Sequence, residues 1–297
     1  MFKGATNVLF SPAGDKLVAA ISDGTIHVWN MDSGQEEKVI TVTGNSSGLS
    51  SIAFSSSGEE LITGSKDGTI KIYSFPAGNE LLRSPGIASD FRAISFAPDG
   101  KTIAAGTVDS DVFLWDLSSG KINNTLSVSS TINGGGLLGT SSIAFSPDGQ
   151  TLVITDVNLM LWDVLSGKLL RVFPGHTSVV TGAYFCGGNN TLISGGDKTI
   201  RFWDTGSGNE IKRYSRQNNS IAEIACTSDG KLLAFVGANP GTTPSNLVIN
   251  MLDSLQEAYV YTRLWCKNKS GGFSSPIPGA SSRGITAKKK RQPPQKH

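Results

Sequence analysis

The sequence predicts an all-β chain made of six similar four-stranded units. Three observations carry this. A tight-turn signature recurs at Ser11-Pro12-Ala13-Gly14, Ser55-Ser56-Ser57-Gly58, Ala97-Pro98-Asp99-Gly100, Ser146-Pro147-Asp148-Gly149, Cys186-Gly187-Gly188-Asn189 and Thr227-Ser228-Asp229-Gly230. An aromatic ends the third apolar run of five units, at Trp29, Tyr73, Trp115, Trp162 and Trp203, with separations of 44, 42, 47 and 41 residues. An Asp stands six residues before each aromatic, at Asp23, Asp67, Asp109, Asp156 and Asp197. An offset held in five units marks a repeat, and a period of about 40–45 residues is one supersecondary unit stacked on the next.

Each strand has a local reason. Pro pre-sets the first corner of the recurring turn, and Gly tolerates a positive φ at its exit. Alternating apolar runs flank it, as in residues 142–145 and 151–154. That pattern is a hairpin, the first two strands of a unit. The third strand ends at the aromatic. A fourth follows a Ser-Gly or Gly turn, as at residues 37–42, 80–82, 168–173 and 210–214. One such sheet cannot bury both faces alone, whereas neighbours stacked around an axis can.

The sixth unit is degraded. Residues 221–226 and 232–236 supply its first two strands, and an insertion at 238–245 with Pro240 and Pro244 replaces the tight turn. Residues 247–252 are the expected third strand, with Leu252-Asp253 where Trp-Asp stands elsewhere, and 258–266 the outer strand. A competing register takes Thr262-Arg263-Leu264-Trp265 as the third strand.

The chain has 297 residues, 38% hydrophobic and 17% charged, with 35 Gly. That suits many short strands joined by tight turns. No apolar stretch reaches the roughly 18 residues of a membrane span. Met1-Phe2-Lys3-Gly4 leads into strand-like sequence without a signal-peptide core, so the expected location is cytoplasmic, nuclear or both. The three cysteines, Cys186, Cys226 and Cys266, form no C-x-x-C pair and no even-numbered framework; the expectation is buried free thiols. The net charge of +2 hides an asymmetry. Residues 267–297 hold eight Lys/Arg and no Asp/Glu, which leaves 18 basic and 24 acidic residues in 1–266, a net of −6. The body is therefore not a nucleic-acid clamp, and the tail is the basic block.

Residues 175–204 form the fullest unit. They open on Gly175-His176-Thr177 and close on Phe202-Trp203-Asp204. This Gly-His opening and Trp-Asp close resemble a WD40 repeat, and residues 1–266 resemble a WD40-type β-propeller. The resemblance implies a rigid docking platform of four-stranded blades, usually seven. Six are visible here. Family propellers let an N-terminal strand complete the last blade, yet at most residues 1–3 precede the first. The expectation is an incompletely closed ring whose open edges invite self-association. The domain boundaries follow: a propeller at 1–266, then a disordered tail at 267–297 rich in Ser, Gly, Pro and Lys.

The resemblance also implies a polar network inside a blade, with His before the first strand, Ser or Thr on the second, Asp in the next turn and Trp on the third. In blade five these positions match His176, Ser194, Asp197 and Trp203. Blade two matches in part, with Asn45, Thr63, Asp67 and Tyr73.

Catalytic chemistry needs a base or nucleophile in a dry pocket. His297 is terminal, and His176 has its place in the network. His27 lies two residues before Trp29, where other units carry Lys71, Phe113, Met160 and Arg201, so that position reads as permissive. The five aspartates read as blade-internal rather than as a metal ring. Gly134-Gly135-Gly136 lacks a following Lys-Ser/Thr and reads as an inter-blade loop. No catalytic, cofactor-binding or metal-binding residue is expected. The expected function is a non-enzymatic scaffold or adaptor that joins proteins in a multiprotein complex. The alternatives are an enzyme with a site in the central channel, or a nuclear or RNA-associated adaptor that uses the tail. Lys66 and Arg92, basic on an acidic body, are the candidate partner contacts on the rim. Lys288, Lys289, Lys290 and Arg291 are the candidate tail signal, for nuclear import or for contact with RNA or an anionic membrane.

Overall fold

The computed structural model describes residues 5–42, 48–84, 86–87, 89–128, 139–215, 220–226, 230, 232–238, 249–253, 266–267 and 273–274. Blade one comprises β1 Ala5–Phe10, β2 Lys16–Ile21, β3 Thr25–Asn30 and β4 Glu36–Thr41. Blade two comprises β5 Leu49–Phe54, β6 Glu60–Ser65, β7 Ile70–Ser74 and β8 Glu80–Arg83. Blade three comprises β9 Phe91–Phe96, β10 Thr102–Thr107, β11 Asp111–Asp116 and β12 Lys121–Ser127. Blade four comprises β13 Ser142–Phe145, β14 Thr151–Thr155, β15 Leu159–Asp163 and β16 Leu169–Phe173. Blade five comprises β17 Val180–Phe185, β18 Thr191–Gly196, β19 Thr199–Asp204 and β20 Glu210–Tyr214. Each is an antiparallel meander with its strands in chain order.

The register repeats. Each blade's aromatic pairs across the sheet with an aliphatic residue of the second strand: Leu17 with Trp29, Leu61 with Tyr73, Ile103 with Trp115, Leu152 with Trp162 and Leu192 with Trp203. Aromatic–aliphatic cross-strand pairs are favoured units of sheet stabilisation. A register shift toward the fourth strand recurs at the same aromatic, between Val28 and Trp29 and between Phe202 and Trp203 for example. A bulge of this kind bends a strand and increases its local twist.

The core lies between blades. Val18, Ala20, Ile26, Val28 and Ile40 of blade one pack on Leu49, Ile52, Leu61 and Tyr73 of blade two. Equivalent apolar layers join blades two and three, three and four, and four and five. A fifth joins Ile193, Ile200 and Phe202 to Ile221, Ile224 and Leu233 of the sixth blade. Fully burying one such side chain contributes about 1.5–3 kcal/mol, so the stacking stabilises each sheet. The fold is all-β, a propeller-like stack of four-stranded sheets that, among the described residues, do not close into a ring.

The sixth blade is described as three strands, β21 Ser220–Cys226, β22 Leu232–Ala238 and β23 Ile249–Asp253. Leu252 pairs with Leu233, the register that the Trp position takes in the other blades. The expected outer strand falls outside the described residues apart from Cys266. Cys266–Lys267 (β24) pairs with Phe273–Ser274 (β25) in a two-stranded ladder, the described part of the C-terminal stretch. Lys288, Lys289, Lys290, Arg291 and Asn45 lie outside the described residues. Among the described residues no helix is long and apolar enough to cross a membrane.

One expectation is corrected. Cys186 and Cys226 are not free thiols but a disulfide, with Cα atoms 5.6 Å apart. The repeat itself brings them together, because the end of β17 lies beside the end of β21 in the next blade.

Candidate functional site

Blade five holds the densest polar cluster. His176 Nδ1 lies 2.7 Å from Asp197 Oδ1, and its Nε2 lies 2.7 Å from Ser194 Oγ. The Trp203 indole N–H donates to the same Ser194 Oγ at 2.8 Å. One arrangement satisfies every group. The indole donates to Ser194, the Ser194 hydroxyl donates to Nε2, and Nδ1–H donates to Asp197. That arrangement needs a neutral imidazole. Burial pushes the His176 pKa down, and the Asp197 hydrogen bond opposes it without reversing the direction.

Asp197 is the hub. Burial alone would raise its pKa. The Thr199 hydroxyl, the Thr177 backbone N–H and His176 outweigh that and hold the carboxyl well below the usual carboxylate range. The bonds are Thr199 Oγ1 at 2.5 Å and Thr177 N at 2.8 Å. Arg201 adds a charged donor, Nη2 to Asp197 Oδ2 at 3.0 Å, and its Nη1 reaches Glu210 Oε2 at 3.0 Å. Gly175 completes the packing. Its φ is +147°, and a Cβ there would lie 2.5 Å from Arg201 Nη1 and 3.1 Å from the Trp203 ring.

Arg201 was read as standing at a permissive position, and the structure corrects this. Arg201 is 3% exposed and Lys71 is fully buried, as is Met160. The position two before the aromatic is buried in blades two, four and five, and half-buried at His27 and Phe113. His27 is bonded to Glu36 there and lies 3.1 Å from Thr25 Oγ1.

The cluster contains Ser, His and Asp, yet its geometry is that of a support. Ser194 is fully buried and its oxygen is engaged by both His176 and Trp203. A nucleophile needs an open approach for a reacting carbon. In blades three and four the place of Ser194 is taken by Ala105 and Ile154, which cannot accept a hydrogen bond. The Trp115 and Trp162 indole N–H groups there are buried with no acceptor among the described residues. In blade two Thr63 turns its hydroxyl to Lys71 O at 3.4 Å, while Asp67 accepts from Thr69 N at 3.0 Å and Thr69 Oγ1 at 2.6 Å.

The other aspartates are tied down locally, with one exception to the blade-internal expectation. Asp23 accepts from Thr25, and Asp109 from Ser89. Buried Asp156 instead accepts from Ser110 of blade three at 2.6 Å, so it joins two blades.

The two candidate partner contacts have different surroundings. Lys66 is exposed in the turn between β6 and β7. Arg92 lines an axial cavity of about 110 Å³ with Asn7, Ser51, Ser142, Thr181 and Tyr184, all on first strands or at their edge. The inner strands thus present a hydroxyl-rich wall that carries a guanidinium.

Comparison with known proteins agrees with this architecture. The family profile described as "WD domain, G-beta repeat" matches residues 3–30, 36–74, 81–116 and 167–204. A WD repeat-containing protein of Synechocystis is 33% identical over 141 residues, 46% of this chain and 38% of that protein. The guanine nucleotide-binding protein subunit beta of Zea mays is 29% identical over 161 residues, 50% of this chain and 42% of that protein. Cell division cycle 20.1, cofactor of APC complex, of Arabidopsis thaliana is 27% identical over 198 residues, 62% of this chain and 42% of that protein. The chain spans less than half the length of these curated relatives. The four matched places, the recurring Asp–aromatic register and the stacked four-stranded sheets identify WD40 repeats in this chain.

Proposed function

We propose that this chain is a non-enzymatic scaffold that docks protein partners within a multiprotein complex. One observation carries the proposal. The blade-five cluster, where among the described residues a base, a nucleophile and a carboxylate meet, is sealed inside a blade and spent on holding it together. What remains outside is a rigid arc with exposed turns, and binding residues concentrate on loops held by a rigid scaffold. Two relatives are named as parts of assemblies, a subunit beta and a cofactor of a complex, which supports the same direction. On this proposal residues 1–266 are the docking body, 267–297 a basic tail, and the chain works in the cytoplasm or nucleus. The experiment is affinity purification of the full chain from its source cells, then reconstitution with each purified companion. A complex of fixed stoichiometry between purified proteins supports the proposal. A chain that joins none of them once both are pure overturns it.

A second activity, pairing between copies, is favoured by blade one. Val8 and Phe10 are both 58% exposed. Ile52, the counterpart of Val8 in blade two, is 5% exposed under the preceding blade. Blade one therefore presents a face that its neighbours bury, and such faces invite association.

A further inference from the structure

Adjacent hairpin turns touch along the arc. Ser56 Oγ donates to Pro98 O at 3.1 Å, and Asn189 Nδ2 to Asp148 Oδ2 at 2.8 Å. Beside these turns the repeat keeps a fixed residue type. The last residue of each first strand is Phe, opposite an aliphatic: Phe54 with Leu61, Phe96 with Ile103, Phe145 with Leu152 and Phe185 with Leu192. In blade six this place belongs to Cys226, opposite Leu233. The residue that opens the preceding blade's turn is Ser11, Ser55, Ala97 or Ser146, and in blade five it is Cys186. Cys186 N donates to Thr191 O at 2.9 Å, as Ser146 N does to Thr151 O at 2.9 Å. So at one junction both of these positions carry sulfur, and the two sulfurs are bonded.

We propose that the Cys186–Cys226 pair is a thiol–disulfide exchange site whose oxidation state sets how firmly the sixth blade is held to the fifth. Cys186 is 5% exposed, whereas Cys226 is half-buried. An incoming thiolate therefore reaches Cys226 Sγ more readily. The reductant is a dithiol, small or carried by another protein. Its thiolate bonds to Cys226 Sγ, the S–S bond breaks, and Cys186 leaves as a thiolate that takes up a proton. The second thiol of the reductant then attacks its own sulfur in the mixed disulfide. Cys226 leaves as a thiolate and is protonated, and the reductant departs as a disulfide. Two electrons and two protons have passed to the protein. A small disulfide such as glutathione disulfide runs the sequence backward.

The consequence follows from what else holds blade six. Ile221, Ile224 and Leu233 pack on blade five, and Thr181 Oγ1 donates to Ile221 O at 2.8 Å. Where other blades add a phenyl ring, the reduced junction has only a thiol, with less apolar surface to bury. The oxidised junction replaces the ring by a covalent tie between residues 40 apart, which restricts the unfolded chain of the intervening strands.

The test uses the full chain purified without reductant. Free thiols are alkylated with iodoacetamide before and after dithiothreitol, and the cysteine peptides are weighed, with Cys266 as the internal control. The expected result is that Cys186 and Cys226 alkylate only after reduction. Hydrogen exchange in β21–β23 should then rise at least tenfold on reduction, stay constant in β13–β16, and return with glutathione disulfide. The double variant Cys186→Ser with Cys226→Phe copies the Ser146–Phe185 pair of the preceding junction. It should show slow exchange in β21–β23 that dithiothreitol does not change. Cys186 and Cys226 alkylating without reductant, even after incubation with glutathione disulfide, overturns the proposal. So does exchange in β21–β23 that is equal in the oxidised and reduced chain.

Discussion

Ser194 Oγ sits 2.8 Å from the Trp203 indole nitrogen and 2.7 Å from His176 Nε2, so one hydroxyl ties the strand-end aromatic to the segment that enters the blade. Blade five alone among the described blades carries Ser at this position together with the His that receives its proton. We expect His176→Ala to lower chemical stability by about 1–3 kcal/mol, the cost of leaving a buried donor and acceptor unpaired. Urea unfolding followed by Trp fluorescence measures it. Partner binding by the folded variant should be unchanged. An unaltered midpoint with lost binding would make His176 a contact residue instead.

The same cluster predicts an acid limb. His176 has a folded pKa below its unfolded value of about 6.5. The unfolded chain therefore binds the proton first as pH falls, and stability declines below about pH 6.5. Asp197 is depressed as well, so its contribution is present above an unfolded value of about 3.9 and fades as pH falls below it. Both groups act in the same direction. Urea midpoints measured from pH 8 to pH 5 should decrease in the wild type. His176→Asn should flatten that decrease. An equally steep decline in the variant would assign the limb to other groups.

Arg201 and Arg213 give a contrast within one blade. Both contact Glu210, but the Arg201 side chain is 4% exposed and that of Arg213 is 47% exposed. Removing one partner of a buried pair strands the other charge in a poor solvent and costs about 3–5 kcal/mol. Arg201→Ala should therefore shift the urea midpoint strongly, and Arg213→Ala should leave it within error. Equal shifts would show that Arg201 is hydrated in solution.

The five complete blades were legible in the sequence because turn chemistry, strand alternation and the Asp–aromatic offset repeat with the backbone. The sixth blade was legible as far as Leu252, which takes the register of the missing Trp. Two features of the site were hidden, each for a physical reason. Lys71, Met160 and Arg201 differ so widely that their shared position read as permissive, whereas blades two, four and five each bury the residue there. The spacing of 40 between Cys186 and Cys226 is close to the blade period. It is one residue short of the 41 between Trp162 and Trp203, and that offset puts Cys226 in the Phe position of its blade, beside Cys186 in the turn position of the other. Blade membership was readable from spacing, but contact between blades depends on how the sheets stack.

The exposed face of blade one predicts concentration-dependent pairing. Val8 and Phe10 point from β1 to the side that blades two to five bury, and β1 is the innermost strand of its blade. Sedimentation velocity of the full chain across a hundredfold concentration range should show association. Val8→Glu with Phe10→Glu should abolish it with little loss of stability, since both side chains already face water. A wild-type chain that stays monomeric throughout would remove this face from consideration as a pairing surface.

Lys66 and Arg92 offer a way to locate the docking surface, because the structure sets them in different surroundings. Lys66 stands on an exposed turn, and Arg92 faces the axial cavity beside Ser51 and Thr181. Interface energy gathers in a few residues, with Arg over-represented. A partner that inserts a segment into the channel should lose binding with Arg92→Glu and tolerate Lys66→Glu. A partner that rests on the turns should respond in the opposite order. Each single reversal should leave the melting temperature nearly unchanged, as surface substitutions are usually within about 0.5 kcal/mol. The contact is electrostatic, so the affected complex should also weaken between low and physiological salt, where exposed charges are screened beyond about 8–10 Å. Titration of each purified companion against both variants, by calorimetry at two salt concentrations, distinguishes the channel from the rim. Companions that bind both variants with wild-type affinity would show that neither residue belongs to the docking surface.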